Sequence, residues 1–501
     1  MIDRILEQLT YNPEEPMIFS SGLFLILFLG FTFCYMLMQH TRTLRLLFVT
    51  AFSYYFYYKS SGFYFFLLAV VTLSDFFIAR RIADCNSEDC SAEDGKTVHR
   101  RGKWLVFLSL LIDLGLLAYF KYTNFFAGMW AQMVGSNFQP WDIFLPVGIS
   151  FFTFQSMSYV IDVYRGDLKP LPSLLDYAFY VSFFPQLVAG PIVRARDFAP
   201  QIRKPLEVTN DMFARGVFFI AIGLFKKAVI SDYISLNFVD RIFDNPSLYT
   251  GVENLLGAYG YAMQIYCDFS GYSDMAIGIA LLLGFRFPMN FNAPYTSQSI
   301  TDFWRRWHIS LSSWIRDYIY ISLGGNRKGK VRQYINLIIT MLLGGLWHGA
   351  SLNFVAWGGM HGVALAIHKW LRENVFHHDK RYQSHGVRRV LAVLLTFHFV
   401  VFCWIFFRNH TFGDSWTMIT KIFTEFHPEV FMQVVEGYWA VFAMTAFGYL
   451  SHFIPDRWNE GCIGLVRRGG VVVAALLVAI VIFIVIQVKS SEIQPFIYFQ
   501  F

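Results

Sequence analysis

Two histidines in this chain, His308 and His348, are candidates for chemistry inside apolar sequence. His348 lies in Leu342-Leu343-Gly344-Gly345-Leu346-Trp347-His348-Gly349-Ala350, far from any charged residue on either side. An ionisable group at membrane depth must offset its own desolvation, which makes it a functional candidate. Imidazole also titrates near working pH, so it can take a proton and return it. The competing reading is a neutral imidazole bonded to a helix carbonyl, and His361 in Trp357-Gly358-Gly359-Met360-His361-Gly362 keeps that reading. His308 belongs to the densest polar cluster, Thr301 to Tyr318 (TDFWRRWHISLSSWIRDY). As a helix, Phe303, Trp307, Trp314 and Tyr318 share one face, with Trp304 on its edge, and Arg305, His308, Ser312 and Arg316 form a stripe opposite. That pattern fits an interfacial helix with lipid-facing arginines, or a cavity wall whose arginines hold an anion. A third cluster runs from Gln264 to Asp274 (QIYCDFSGYSD). Its two acids are six apart, off the usual shared-face spacing, and suit partners such as Lys226 and Lys227 better than paired-carboxylate catalysis. Asp232 is a further acid within reach of those lysines, which otherwise would snorkel.

Two soluble-enzyme patterns fail. Gly324 to Lys330 has phosphate-loop spacing, but Val331 stands where a magnesium-binding hydroxyl belongs, and no strand precedes it. Ser270 lacks the leading glycine of a nucleophile elbow. The cysteines support neither a disulfide framework nor a zinc site, and no metal is expected.

The elements that must hold these groups are membrane helices. Of 501 residues, 55% are hydrophobic, 19% aromatic and only 15% charged, and mean hydropathy is +0.43. Soluble domains carry about 25% charge, so a secreted protein, a disordered chain and a nucleic-acid binder all fit poorly. Candidate spans lie near 17–38, 44–58, 62–79, 104–134, 143–161, 212–235, 252–285, 333–347, 350–368, 390–407, 438–454 and 471–488. The stretches 174–193 and 299–321 are broken by Pro or charge and read as re-entrant or interfacial pieces. Acids near the start and a long first apolar run argue against a cleavable signal peptide. With the N-terminus outside, the inside loops hold 31 of the 41 basic residues, the expected bias for cytoplasmic loops. The net charge of +6 therefore needs no anionic partner.

The stretches FFPQLVAGPIVR (183–194), GLFKK (223–227), YCDFSGYSDMAIG (266–278), NFNAPY (290–295), SITDFWRRWHISLSSWIRDYIYISLGGNR (299–327), MLLGGLWHGA (341–350), WGGMHG (357–362) and PFIYFQF (495–501) occur in one order. Together they resemble the membrane-bound O-acyltransferase family, in its bacterial alginate O-acetyltransferase branch. The resemblance implies an all-α polytopic fold of about 11–12 transmembrane helices plus re-entrant or interfacial helices around a central tunnel. The whole chain, 1–501, is read as one membrane domain, with its signature core at about 146–371. The family's near-invariant histidine falls on His348, and its second signature position on His308. The implied reaction takes acetyl from a cytoplasmic donor, acetyl-CoA or another acyl thioester, for O-acetylation of an exported polysaccharide such as alginate. No permanently bound cofactor is implied. The implied partners are periplasmic O-acetyltransferase proteins of the same pathway and membrane lipid, and the implied location is the bacterial inner membrane.

In that chemistry His348 is the general base, and His308 orients it or donates to the oxyanion. Arg305, Arg316, Trp304 and Trp307 are the candidate donor-binding residues. Two rival readings stand beside it: transfer of a D-alanyl-type group from a carrier protein, and a non-catalytic polysaccharide transporter.

Overall fold

The computed structural model describes residues 7–13, 15–87, 92–379, 382–488 and 496–497, and for 86–87 and 92–100 the backbone alone. Cys90 and the terminal stretch, apart from Phe496 and Ile497, lie outside the described residues. The fold is 78% helical, and no strand occurs among the described residues, as a multi-pass protein requires when every backbone group must be satisfied inside its own segment. Among the described residues four helical stretches are long and apolar enough to cross a membrane, Arg42–Cys85, Arg101–Met133, Gly386–Arg408 and Asp456–Val488. A fifth forms when Pro428–Gly437 and Trp439–Ser451 are joined across a 92° bend. Two of these stretches are broken where the sequence separates spans from loops. Gly62 at φ 59° ends the helix Arg42–Ser61, and Gly470 at φ 55° interrupts Asp456–Val488.

Within what the sequence presents as one membrane domain, packing separates two compact units. The first comprises residues 1–212 and 279–288. Here the 174–193 stretch is a buried pair of short helices, Leu174–Ser182 and Phe184–Leu187, so it does not span. Phe184 inserts between the helices Gly22–Leu37 and Arg42–Ser61, 5.5 Å from Phe31 and 5.1 Å from Phe52 between ring centroids. Rings meeting edge to face like these add to the area they bury.

The second unit comprises residues 213–278 and 289–501 and holds all the candidate chemistry. At its centre runs the 32-residue helix Gly251–Leu282, continuously buried from 260 to 278. It meets the helix that begins Asn210–Leu224 through glycines spaced seven apart. A β-carbon on Gly223 would lie 2.5 Å from the Gly271 carbonyl oxygen, and one on Gly278 would lie 2.6 Å from that of Gly216. Small residues permit this backbone approach, the usual device where lipid supplies no hydrophobic drive between helices. The approach brings Lys226 to 2.7 Å from Asp274, and Lys227 to 2.6 Å from Asp268 and 2.8 Å from Asp232. The two acids of the third cluster are thus structural partners of the lysines, which pair instead of snorkelling.

Candidate active site

The helix carrying His348 is Lys330–His348, so the imidazole is its last residue. The helix starts earlier than the apolar run at 333, which makes it roughly 28 Å long at 1.5 Å per residue. Its partner is Leu352–Trp370, and glycines again set the distance. A β-carbon on Gly345 would sit 2.2 Å from the Phe354 carbonyl oxygen, and one on Gly358 would sit 2.3 Å from that of Met341. Gly344, its neighbour in sequence, faces elsewhere: its β-carbon would meet only Ile315 Cδ1, at 3.3 Å. One glycine lets two helices touch, and the next lines open space.

That space is a cavity of about 480 Å³, within the usual range for ligand sites. His348, Gly344, Met341 and Trp357 form one wall; Trp304, Ile309, Ser312 and Ile315 form another. Arg305, Arg316, Lys369 and Arg372 give it a basic end. Two wide helical turns of the π type shape that end. Residues Ile315–Tyr320 supply Ile315, Arg316 and Tyr320, and Leu371–Val375 supplies Arg372. Such turns insert a residue into the helical register and re-aim side chains, and they recur at functional sites.

His348 is 4% exposed. Its ring lies edge-on to Trp347, Trp357 and Phe407, at 4.9, 5.1 and 5.1 Å between centroids. Trp304 also reaches the cavity, and its indole N–H donates to His361 Nδ1 at 3.3 Å. His361 thus holds a wall residue in place, with Trp304 as its partner where the sequence reading supposes a helix carbonyl.

The single helix on which the faces of 301–318 are drawn does not form. Two short helices, Ile300–Arg306 and Ile309–Trp314, meet at His308, whose φ of 42° is uncommon for a residue with a side chain. The break undoes the polar stripe. Arg305, Ser312 and Arg316 line the cavity, while His308 turns into the protein at 0% exposure. Its Nδ1 lies 3.2 Å from Asn290 Oδ1, an acceptor shared with the Ser310 amide and hydroxyl at 3.1 and 2.9 Å. This network requires the tautomer with hydrogen on Nδ1. Both imidazoles pack on the Trp347 indole, His308 at 6.2 Å and His348 at 4.9 Å, and of the two His348 lines the cavity.

The four residues expected to bind the donor separate. Trp307 is buried at 1%, stacked on Phe303 at 5.6 Å and against Trp404 at 5.0 Å, so it belongs to the core. Arg316 is clamped by Asp317, at 2.6 Å from Nε and 3.1 Å from Nη2, and this bond holds the guanidinium pKa above its ordinary value. No carboxylate among the described residues pairs with Arg305. Arg305 and Arg372 also border a second cavity of about 750 Å³, which adds Arg388 and His368. Lys369, Arg372 and Arg388 escaped the sequence reading because they lie outside every conspicuous motif, and only the fold brings them to His348's cavity or to its neighbour.

The comparisons with known proteins agree with this architecture. Residues 107–369, just over half of the chain, match the model of the membrane-bound O-acyltransferase family. The chain is similar to the probable alginate O-acetylase AlgI of Pseudomonas aeruginosa, 42% identical over 81% of this chain and 75% of that protein. It is 40% identical to the peptidoglycan O-acetyltransferase of Helicobacter pylori, over 61% of this chain and 62% of that one. The teichoic acid D-alanyltransferase of Bacillus subtilis is 31% identical, over 53% of this chain and 69% of its own length. The chain is a multi-pass membrane acyltransferase and belongs to the membrane-bound O-acyltransferase family.

Proposed function

We propose that this protein transfers acetyl groups from a cytoplasmic thioester, acetyl-CoA being the expected donor, for O-acetylation of an exported polysaccharide such as alginate. The observation that carries the reading is His348 on the wall of a cavity whose other end is basic. A phosphate-bearing donor fits there with its anionic part at Arg305 and Arg372 and its thioester at the imidazole. The acceptor hydroxyl oxygen attacks the thioester carbonyl carbon while its proton passes to His348. Collapse of the tetrahedral intermediate breaks the carbon–sulfur bond, and the thiolate takes the proton back from the imidazolium. The products are an ester and a free thiol, so no metal or oxidant is needed for balance. His308 is a positioning residue in this scheme, acting through Trp347 and the turn it makes with Asn290.

The charge distribution supports an inner-membrane protein with its N-terminus on the periplasmic side, the basic end of the cavity facing the cytoplasm. The acetyl group then leaves on the outer side, to periplasmic proteins that complete polymer acetylation. Greater identity to the alginate and peptidoglycan O-acetylating relatives favours acetyl over D-alanyl transfer. Deletion of the gene tests the proposal. An exported polysaccharide should lose its O-acetyl esters while its backbone is still made, whereas loss of the polymer itself would indicate a transporter.

A further inference from the structure

Arg305 and Arg316 in the cavity lining are exposed, whereas His348 in the same lining is buried among aromatic rings. Phe407 faces the His348 ring at 5.1 Å yet does not line the cavity, and it is 1% exposed. Behind it stand Phe354 at 5.0 Å and Trp404 at 5.1 Å, and Trp357 closes the flank at 5.2 Å. Gly349 is part of this construction, because a β-carbon there would overlap the Phe354 ring at 2.0 Å. The chain therefore gives up a side chain beside its candidate base to seat an aromatic ring.

We propose that Phe407 and the rings backing it form a wall that limits the transferred acyl group to a short chain. This rests on the acyl-transfer reading above. The donor's long arm occupies the roomy part of the cavity toward Arg305 and Arg372. Carbon on the other side of the reacting carbonyl then extends past His348, where the rings stand. An acetyl group adds one methyl there, and each further methylene must displace close-packed aromatic atoms, which proteins resist. The wall is apolar, so the selection is steric.

The test uses inside-out membrane vesicles supplied with radiolabelled acetyl-, butyryl- or hexanoyl-coenzyme A. Alkali-labile label on membrane and polymer is counted, with vesicles carrying His348→Ala as background. The wild type should transfer acetyl well, butyryl poorly and hexanoyl least. Phe407→Ala should raise the butyryl-to-acetyl ratio about tenfold, the usual worth of a methylene or two in a pocket. Phe407→Leu, which keeps the site apolar if the alanine variant accumulates poorly, should move the ratio the same way. Gly344→Ala narrows the arm's channel instead and should slow all three donors by a common factor. Wild-type transfer of hexanoyl as readily as acetyl would overturn the wall. So would an unchanged ratio in Phe407 variants that accumulate normally. No His348-dependent transfer from any donor would overturn the acyl-transfer reading, and the wall's role with it.

Discussion

The second unit places ionisable groups in apolar sequence twice, with opposite outcomes. Around the helix Gly251–Leu282, two lysines meet three aspartates at 2.6–2.8 Å beside a backbone contact between glycines, and the Ile497 amide donates to Asp268 as well. Around Lys330–His348, the same device of close-packed glycines leaves one face open to a cavity of about 480 Å³. Charges that neutralise each other in a closed pair fix the register of two helices. An imidazole on the wall of a cavity lined also by cations is placed to meet a reactant, as proposed above. Burial and ionisability are common to both places, so the cavity separates structure from chemistry.

The contrast makes separate demands on stability and activity. Lys227→Met strands the buried Asp268 and the half-buried Asp232 without their cation. Breaking one side of such a pair costs about 3–5 kcal/mol. Thermal unfolding in detergent should show a large loss and membranes should hold little protein, while the double variant Lys227→Met with Asp268→Asn should lose less than the two singles combined. If the single variant were as stable as the wild type, the closed pair would not be a lock.

The adjacent glycines sharpen the same division. Gly345→Ala forces a methyl against the Phe354 carbonyl and should cost roughly 1–3 kcal/mol or more by overpacking. Gly344→Ala should leave the unfolding temperature nearly unchanged and reduce turnover instead. Equal loss of stability in both would mean that the two glycines do one job.

Among the cationic residues, Arg305→Gln should raise the apparent KM for an acyl thioester about tenfold, the worth of one charge-assisted bond. Arg316→Gln should have the smallest effect, under about 1 kcal/mol, because Asp317 already holds that exposed side chain. Reversal of that order in steady-state kinetics would return Arg316 to the donor site and remove Arg305.

Much of this arrangement was legible before the fold. Isolation made His348 a candidate and the resemblance to the family histidine set it above His361, while the spacing of Asp268 and Asp274 argued against a catalytic pair. Pro and charge showed that 174–193 and 299–321 would not span. The errors share a physical origin. A wheel at a constant angle per residue assumes an unbroken helix, and His308 in the left-handed region ends one helix and begins another. That single dihedral moved His308 off the stripe, and Trp307 stayed in the core. The π-type turns at 315–320 and 371–375 shifted register again, so Arg372 reached the cavity without any motif to announce it. Periodicity finds the faces of helices, but it does not find where a helix stops being regular.

The central claim is that His348 is the base at the wall of the catalytic cavity. It is tested most directly by the rate of acetyl ester formation in membranes carrying His348→Ala, normalised to the amount of protein in the membrane. The predicted result is a fall of about two to four orders of magnitude, the usual contribution of a general base, at wild-type protein levels. Near-wild-type acetylation at normal levels would contradict the account.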